Sequence, residues 1–87
     1  MLLGWFSIKE GSDVGKSSLS NNIRTLRFMK GEMTQQDLAE RVGVTRQTIV
    51  AIEKAKYSPS LEVAFRIARV FNTPLEEVFS YHEEDAM

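Results

Sequence analysis

From Ile23 onward, apolar residues recur every three or four positions, and polar caps and glycines cut that recurrence into five short segments. Each segment reads as a helix with one apolar face, and no stretch alternates as a long strand would. The first spans about Asn22 to Lys30, with Ser20, Asn21 and Asn22 as candidate caps, Ile23 and Leu26 inward, Arg24, Thr25 and Lys30 in water, and Gly31 as its stop. The second starts at Thr34, whose hydroxyl can accept the amide of Gln36 or Asp37, and buries Leu38, Ala39 and Val42. Gly43 ends it, because the chain needs a left-handed residue there. After Val44 alone, Thr45 caps a third helix that runs through Lys54 with Ile49 and Ile52 inward. Helices joined this tightly must cross.

Tyr57 to Ser60 read as a loop, followed by a strongly amphipathic fourth helix carrying Leu61, Ala64, Phe65, Ile67, Ala68 and Phe71 and stopped at Asn72. Thr73, Pro74 and Glu76 predict a capping box and a proline at the first position of a last helix, which carries Leu75, Val78 and Phe79. Tyr81 to Met87 are expected to fray. The organisation is therefore a leader over residues 1–19, a helical domain over 20–80 and an acidic tail over 81–87. An all-α class follows.

Charge sharpens this division. The net charge is -1, yet Ser20 to Asn72 carry nine basic and five acidic residues for +4, residues 73–87 carry five acidic and no basic residues for -5, and the leader sums to zero. A basic body is hidden behind an acidic end. With 87 residues there is room for one small domain, and with no cysteine there is neither a disulfide framework nor a thiolate metal site. The longest apolar stretch, Met1 to Ile8, is interrupted by Gly4 and Ser7 and falls well short of the roughly 20 residues of a membrane span. It also lacks the basic start and small-residue cleavage site of a secretory signal. The expected location is the cytoplasm, without membrane contact.

Weaker chemical signals give way to plainer readings. Gly11, Gly15, Lys16 and Ser17 are spaced one residue too closely for a phosphate-binding loop, with no strand before them. His82 beside Glu83, Glu84 and Asp85 reads as a solvated tail rather than a metal site. The serines and threonines have no partnered base and read as caps. Neither catalysis, cofactor, metal nor small-molecule substrate is expected. Leu2, Leu3, Trp5, Phe6 and Ile8 are too apolar for a free tail, so the leader is expected to pack on its own domain or on a second subunit, a short strand being one form it can take. The plain alternative is an extension without a role.

The strongest signal lies between Thr34 and Glu53. Ala39 permits close approach of two helices, Gly43 makes the turn, Val44 plugs it, and Ile49 and Ile52 bury the back of the third helix. Arg46, Gln47, Val50 and Lys54 remain exposed, with Ala51 at the margin. Arginine pairs with guanine O6 and N7 and glutamine with adenine N6 and N7, each good contact giving about 1 to 3 kcal/mol of discrimination. Base contact is expected from Arg46, Gln47, Val50 and Ala51, and phosphate contact from Gln35, Thr45, Thr48, Lys54 and Lys56.

In the spacing of Gln35, Leu38, Ala39, Gly43, Val44, Ile49, Ile52 and Glu53, the stretch Ile23 to Phe79 resembles the lambda-repressor-like, Cro-type (xenobiotic-response-element) helix-turn-helix family. The resemblance covers about two thirds of the chain. It implies a compact five-helix DNA-binding domain, a backbone clamp at Gln35, a phosphate or base contact at Thr45, base reading by Arg46, Gln47 and Ala51, and a bridge between Arg27 and Glu53. Two departures stand out: Glu32 looks like a one-residue insertion after Gly31, and Ala55 stands where relatives commonly have glycine. The implied function is a sequence-specific transcriptional regulator, a repressor, that binds a near-palindromic double-stranded operator as a homodimer. The alternative is a protein-interaction module, such as an antitoxin-like partner, that keeps the helix-turn-helix as scaffold.

Overall fold

A computed structural model describes residues 18–82. Strand β1 (Leu19–Asn21) leads into helices α1 (Ile23–Met29), α2 (Gln35–Val42), α3 (Arg46–Glu53), α4 (Leu61–Phe71) and α5 (Leu75–Val78), and strand β2 (Phe79–Tyr81) closes the order. Residues 1–17 of the leader, including its apolar start and the Gly11 to Ser17 cluster, and Glu83 to Met87 lie outside the described residues, while Leu19, expected in the leader, belongs to β1.

The five expected helices are present, and the core is built from their apolar faces. Ile23, Leu38, Ala39, Val42, Ile49, Ile52, Ile67 and Val78 are essentially removed from water, with Met33, Ala64, Ala68, Phe71 and Phe79 nearly so. Helix α2 occupies the centre and packs against both α3 and α4. Its Leu38, Ala39 and Val42 are buried in the shared core.

Three helix ends use one device. At the end of α2, Gly43 takes a left-handed conformation, φ 88°, and the Val44 amide closes back on the Ala39 carbonyl at 3.0 Å. Ala55 does the same after α3 (φ 60°), with Lys56 closing on Ala51 at 3.0 Å. Asn72 does it after α4 (φ 52°), with Thr73 closing on Ala68 at 3.1 Å. These are Schellman turns, which satisfy carbonyls that a helix end would otherwise orphan. After α1 the turn is one residue wider. Gly31 and Glu32 are both left-handed (φ 74° and 58°), so the amide that reaches back to Arg27 O, at 2.9 Å, belongs to Met33. Glu32, which the resemblance marks as an extra residue, is itself the second left-handed residue of this turn.

The sequence reading needs correction at four places. Phe79 is not helical: it begins β2, which pairs antiparallel with β1 in the register Leu19 with Tyr81, Ser20 with Ser80 and Asn21 with Phe79. Tyr81, expected to fray, is held in that pair, which continues through the His82 amide to Ser18 O at 2.9 Å. Leu61 and Phe65 are 67% and 49% exposed. Phe65 is turned about 100° from its neighbour Ala64, off the buried stripe, and Leu61 stands at the first helical position. The capping box of the last helix is also absent, because Thr73 closes the turn after α4 and its hydroxyl donates to Phe71 O at 2.9 Å. Pro74 takes the cap position instead, with no side-chain hydrogen bond.

Of the three candidate caps of α1, Asn21 accepts the Ile23 amide at 3.1 Å. Asn22 donates to Glu77 O at 2.9 Å, and the Ser20 hydroxyl meets His82 Nε2 at 2.8 Å. Ser60, assigned only to a loop by its composition, caps α4 by accepting the Val63 amide at 3.2 Å.

Left-handed geometry costs a residue with a Cβ roughly 1 to 2 kcal/mol. Ala55→Gly is therefore expected to stabilise the domain by about 1 kcal/mol, after allowance for glycine's greater freedom when unfolded. Thermal melts should show a midpoint higher by about 4 to 8 °C; a lower midpoint would mean that the turn carries no strain.

Candidate nucleic-acid interface

The first element of the interface is a rigid helix start. Thr34 accepts the Asp37 amide at 2.9 Å, and the Asp37 carboxylate lies 3.5 Å from the Thr34 amide, so the start of α2 is fixed reciprocally. Eight residues later Gly43 turns the chain, and half-buried Val44 packs against the core beneath the turn. Thr45 then starts α3 by accepting the Thr48 amide at 3.2 Å.

That cap changes what Thr48 can offer. Its amide is bonded to both the side chain and, at 3.0 Å, the carbonyl of Thr45, so the phosphate contact expected of Thr48 is left to its hydroxyl. The two threonine hydroxyls lie 3.0 Å apart. One hydroxyl hydrogen fills the gap between them, which leaves the other for an acceptor outside.

Helix α3 buries Ile49 and Ile52 completely and leaves Arg46, Gln47 and Lys54 exposed, with Thr48, Val50 and Ala51 half-buried. Helical spacing divides the outward residues into two strips. Arg46, Val50 and Lys54 follow one another at four-residue intervals and form one wall of an open groove of about 890 Å³. The same groove is lined by Gln35 and Gln36 of α2 and by Arg24 and Phe28 of α1. Gln47 and Ala51 form the second strip and do not line it. Lys56 is exposed in the turn after α3. Arg24, Asn21 and Gln36 are groove residues that periodicity alone gave no reason to select; Asn21 and Arg24 come to the groove because α1 is tied to the end of α3 through Asn21 and Arg27.

An ion pair forms the floor of this groove. Arg27 Nε donates to Glu53 Oε2 at 2.7 Å and its Nη2 to Oε1 at 3.2 Å, while Nη1 donates to Met33 O at 2.8 Å. The two side chains are only 14% and 9% exposed. Gln35 Nε2 adds a third donor to the carboxylate, 3.2 Å from Oε1. The resemblance implied the pair of Arg27 and Glu53, but the link to Gln35 is new. A glutamine expected to clamp a backbone is already aimed by Glu53.

Comparison with known proteins agrees with this geometry. The model of the helix-turn-helix family matches residues 23–78. The chain belongs to the lambda-repressor-like helix-turn-helix family. An HTH-type transcriptional regulator of Archaeoglobus fulgidus is 57% identical over 56 residues, covering 64% of this chain and 79% of that protein. One from Methanocaldococcus jannaschii is 45% identical over 67 residues, 77% of this chain and all of its relative. The cryptic phage CTXphi transcriptional repressor of Vibrio cholerae is 34% identical over 64 residues, 74% of this chain and 57% of the repressor. The fold is also that of a crystallised Bacteroides fragilis protein, with a TM-score of 0.61 at 24% identity over 71% of this chain and 98% of that one.

Within this helix-turn-helix domain, Glu53→Ala removes the acceptor for three donors and leaves the Arg27 guanidinium uncompensated in a nearly closed site. The expected loss of stability is about 3 to 5 kcal/mol. Urea melts measure it, and a loss under about 0.5 kcal/mol would mean that the pair does not hold the helices.

Proposed function

We propose that this helix-turn-helix protein is a sequence-specific double-stranded DNA-binding transcriptional regulator, acting as a repressor, that inserts α3 into the major groove. The observation that carries the reading is the pose of α3. Its back is sealed by Ile49 and Ile52, its end is held by Arg27 and Glu53, and its outward residues are Arg46, Gln47, Val50 and Ala51. A helix fits the major groove in width, and the guanidinium and amide complement guanine and adenine edges. Gln35, the Thr45 and Thr48 hydroxyl pair, Lys54 and Lys56 would then meet phosphates on either side.

The names of the relatives support this reading, since the archaeal ones are called transcriptional regulators and the phage one a repressor. A homodimer on a near-palindromic operator would place two copies of α3 in successive major grooves about 34 Å apart. No helix among the described residues is long and apolar enough to cross a membrane, in keeping with a cytoplasmic regulator. Nothing in the reading requires a cofactor or a reaction.

Selection of binding sites from random duplexes tests the proposal. The expected result is an enriched motif with two half-sites spaced near one helical turn. Gln47→Ala should alter base preference at one position, and Arg46→Ala should cost about 1 to 3 kcal/mol, chiefly at a guanine. If no motif is enriched and affinity does not fall as salt rises, the chain serves instead as a protein-interaction module.

A further inference from the structure

Helix α1 is tied to α3 at two points. Asn21, just before α1, donates from Nδ2 to Ile52 O at 2.9 Å, and Arg27, one turn into the helix, grips Glu53. Arg24 lies between these tethers, three residues from each, and lines the groove that Arg46, Val50 and Lys54 also line. Spacing of three residues keeps Arg24 and Arg27 on one side of α1. The two arginines differ in what they meet. Arg27 is consumed by Glu53 and Met33, whereas the exposed Arg24 side chain has no ion pair among the described residues, and neither do Arg46 and Lys54.

The groove therefore holds three uncompensated cations, with Glu32 as the one carboxylate on its rim not already held by an arginine. Mutual repulsion of such cations is tolerated at an open surface but is relieved by a polyanion. A helix seated in a major groove has a sugar-phosphate strand along each flank, and Arg46 and Lys54 of one flank of α3 share their groove with Arg24.

We infer that Arg24 is a further DNA-backbone contact, closing the groove from the α1 side so that one phosphate strand is gripped between α1 and α3. The inference rests on the DNA-binding reading of α3. It assigns to α1 a share of the affinity but none of the base preference, because a guanidinium on a phosphate carries no sequence information. The tethers at Asn21 and Arg27 fix the backbone on either side of Arg24, so little freedom of α1 is lost on binding.

The test is to measure duplex affinity of the full chain from about 0.05 to 0.3 M monovalent salt, for wild type, Arg24→Ala, Arg24→Lys, Arg46→Ala and Arg69→Ala. Arg69 is an exposed cation of α4 lining a separate hollow with Phe65 and Leu75, so its removal changes net charge equally without touching the groove. Arg24→Ala is expected to reduce the magnitude of the salt slope by about 0.9 and to weaken binding about eightfold at 0.1 M salt, uniformly across sequences. Arg24→Lys should restore the slope, and Arg69→Ala should leave both slope and affinity near wild type.

Unchanged urea midpoints would confirm that the exposed substitutions leave the fold intact. If Arg24→Ala behaves like Arg69→Ala while Arg46→Ala weakens binding, the role of Arg24 is overturned and the DNA reading stands. A change of base preference with the salt slope intact would overturn the phosphate assignment as well. If wild type binds no duplex at any salt, the DNA reading itself fails, and the inference with it.

Discussion

The carboxylate of Glu53 is the point on which the placement of α3 depends. It is the last residue of α3, and it collects donors from Arg27 on α1 and Gln35 at the start of α2, while the same arginine reaches the carbonyl of Met33 in the connecting turn. One ionic group thereby joins three helices and a loop. Apolar packing can bring α3 against the core through Ile49 and Ile52, but two isoleucines leave rotation about the helix axis and sliding along it weakly determined. A bidentate guanidinium is directional, and in a nearly closed site its geometry is enforced by the cost of leaving either charge unmatched. Hydrophobic burial brings the helices together; this pair sets their angle.

The turns around the pair follow from the same constraint. Met33 can present its carbonyl to Arg27 only because the chain after α1 folds back tightly enough for the Met33 amide to reach the Arg27 carbonyl. Gly31 and Glu32, both left-handed, supply that return, and the side chain of Met33 is buried as a result. An extra residue in this turn would ordinarily displace the start of α2. Here it widens a loop that is closed on itself by hydrogen bonds at both ends, and the cap of α2 at Thr34 is intact.

The elements most legible in the sequence were those governed by local chemistry. Thr34, Gly43, Thr45 and Asn72 act where their side chains or backbone freedom indicated, and Leu38, Ala39, Val42, Ile49 and Ile52 are buried as their spacing required. What periodicity could not supply was set by contacts distant along the chain. Phe79 looks helical by its neighbours but pairs with Asn21 in a strand, a choice decided by the return of the chain to its own beginning. Phe65 looks buried by composition and is half exposed, because it is turned off the buried stripe of Ala64, Ile67, Ala68 and Phe71. The candidate site divides in the same way: Arg46 and Gln47 are visible as polar residues on an apolar-backed helix, whereas Arg24 becomes relevant only when Asn21 and Arg27 are seen to tie α1 to the end of α3.

The two strips of α3 would suit different parts of a DNA ligand under the proposed function. Arg46 and Lys54 share a groove with Arg24, so positive potential is concentrated there, and a phosphate strand is the partner that relieves most of it. Gln47 and Ala51 lie outside that groove and offer an amide and a methyl group. Their chemistry matches an A·T pair, with glutamine on adenine N6 and N7 and the alanine methyl against the thymine methyl. Arg46, at the start of α3, would reach either a phosphate or a guanine under this reading. Affinity and base preference would then come from adjacent faces of one helix, and a net charge of -1 does not oppose a cationic ligand surface there, because residues 73–87 carry five acidic residues and no basic one.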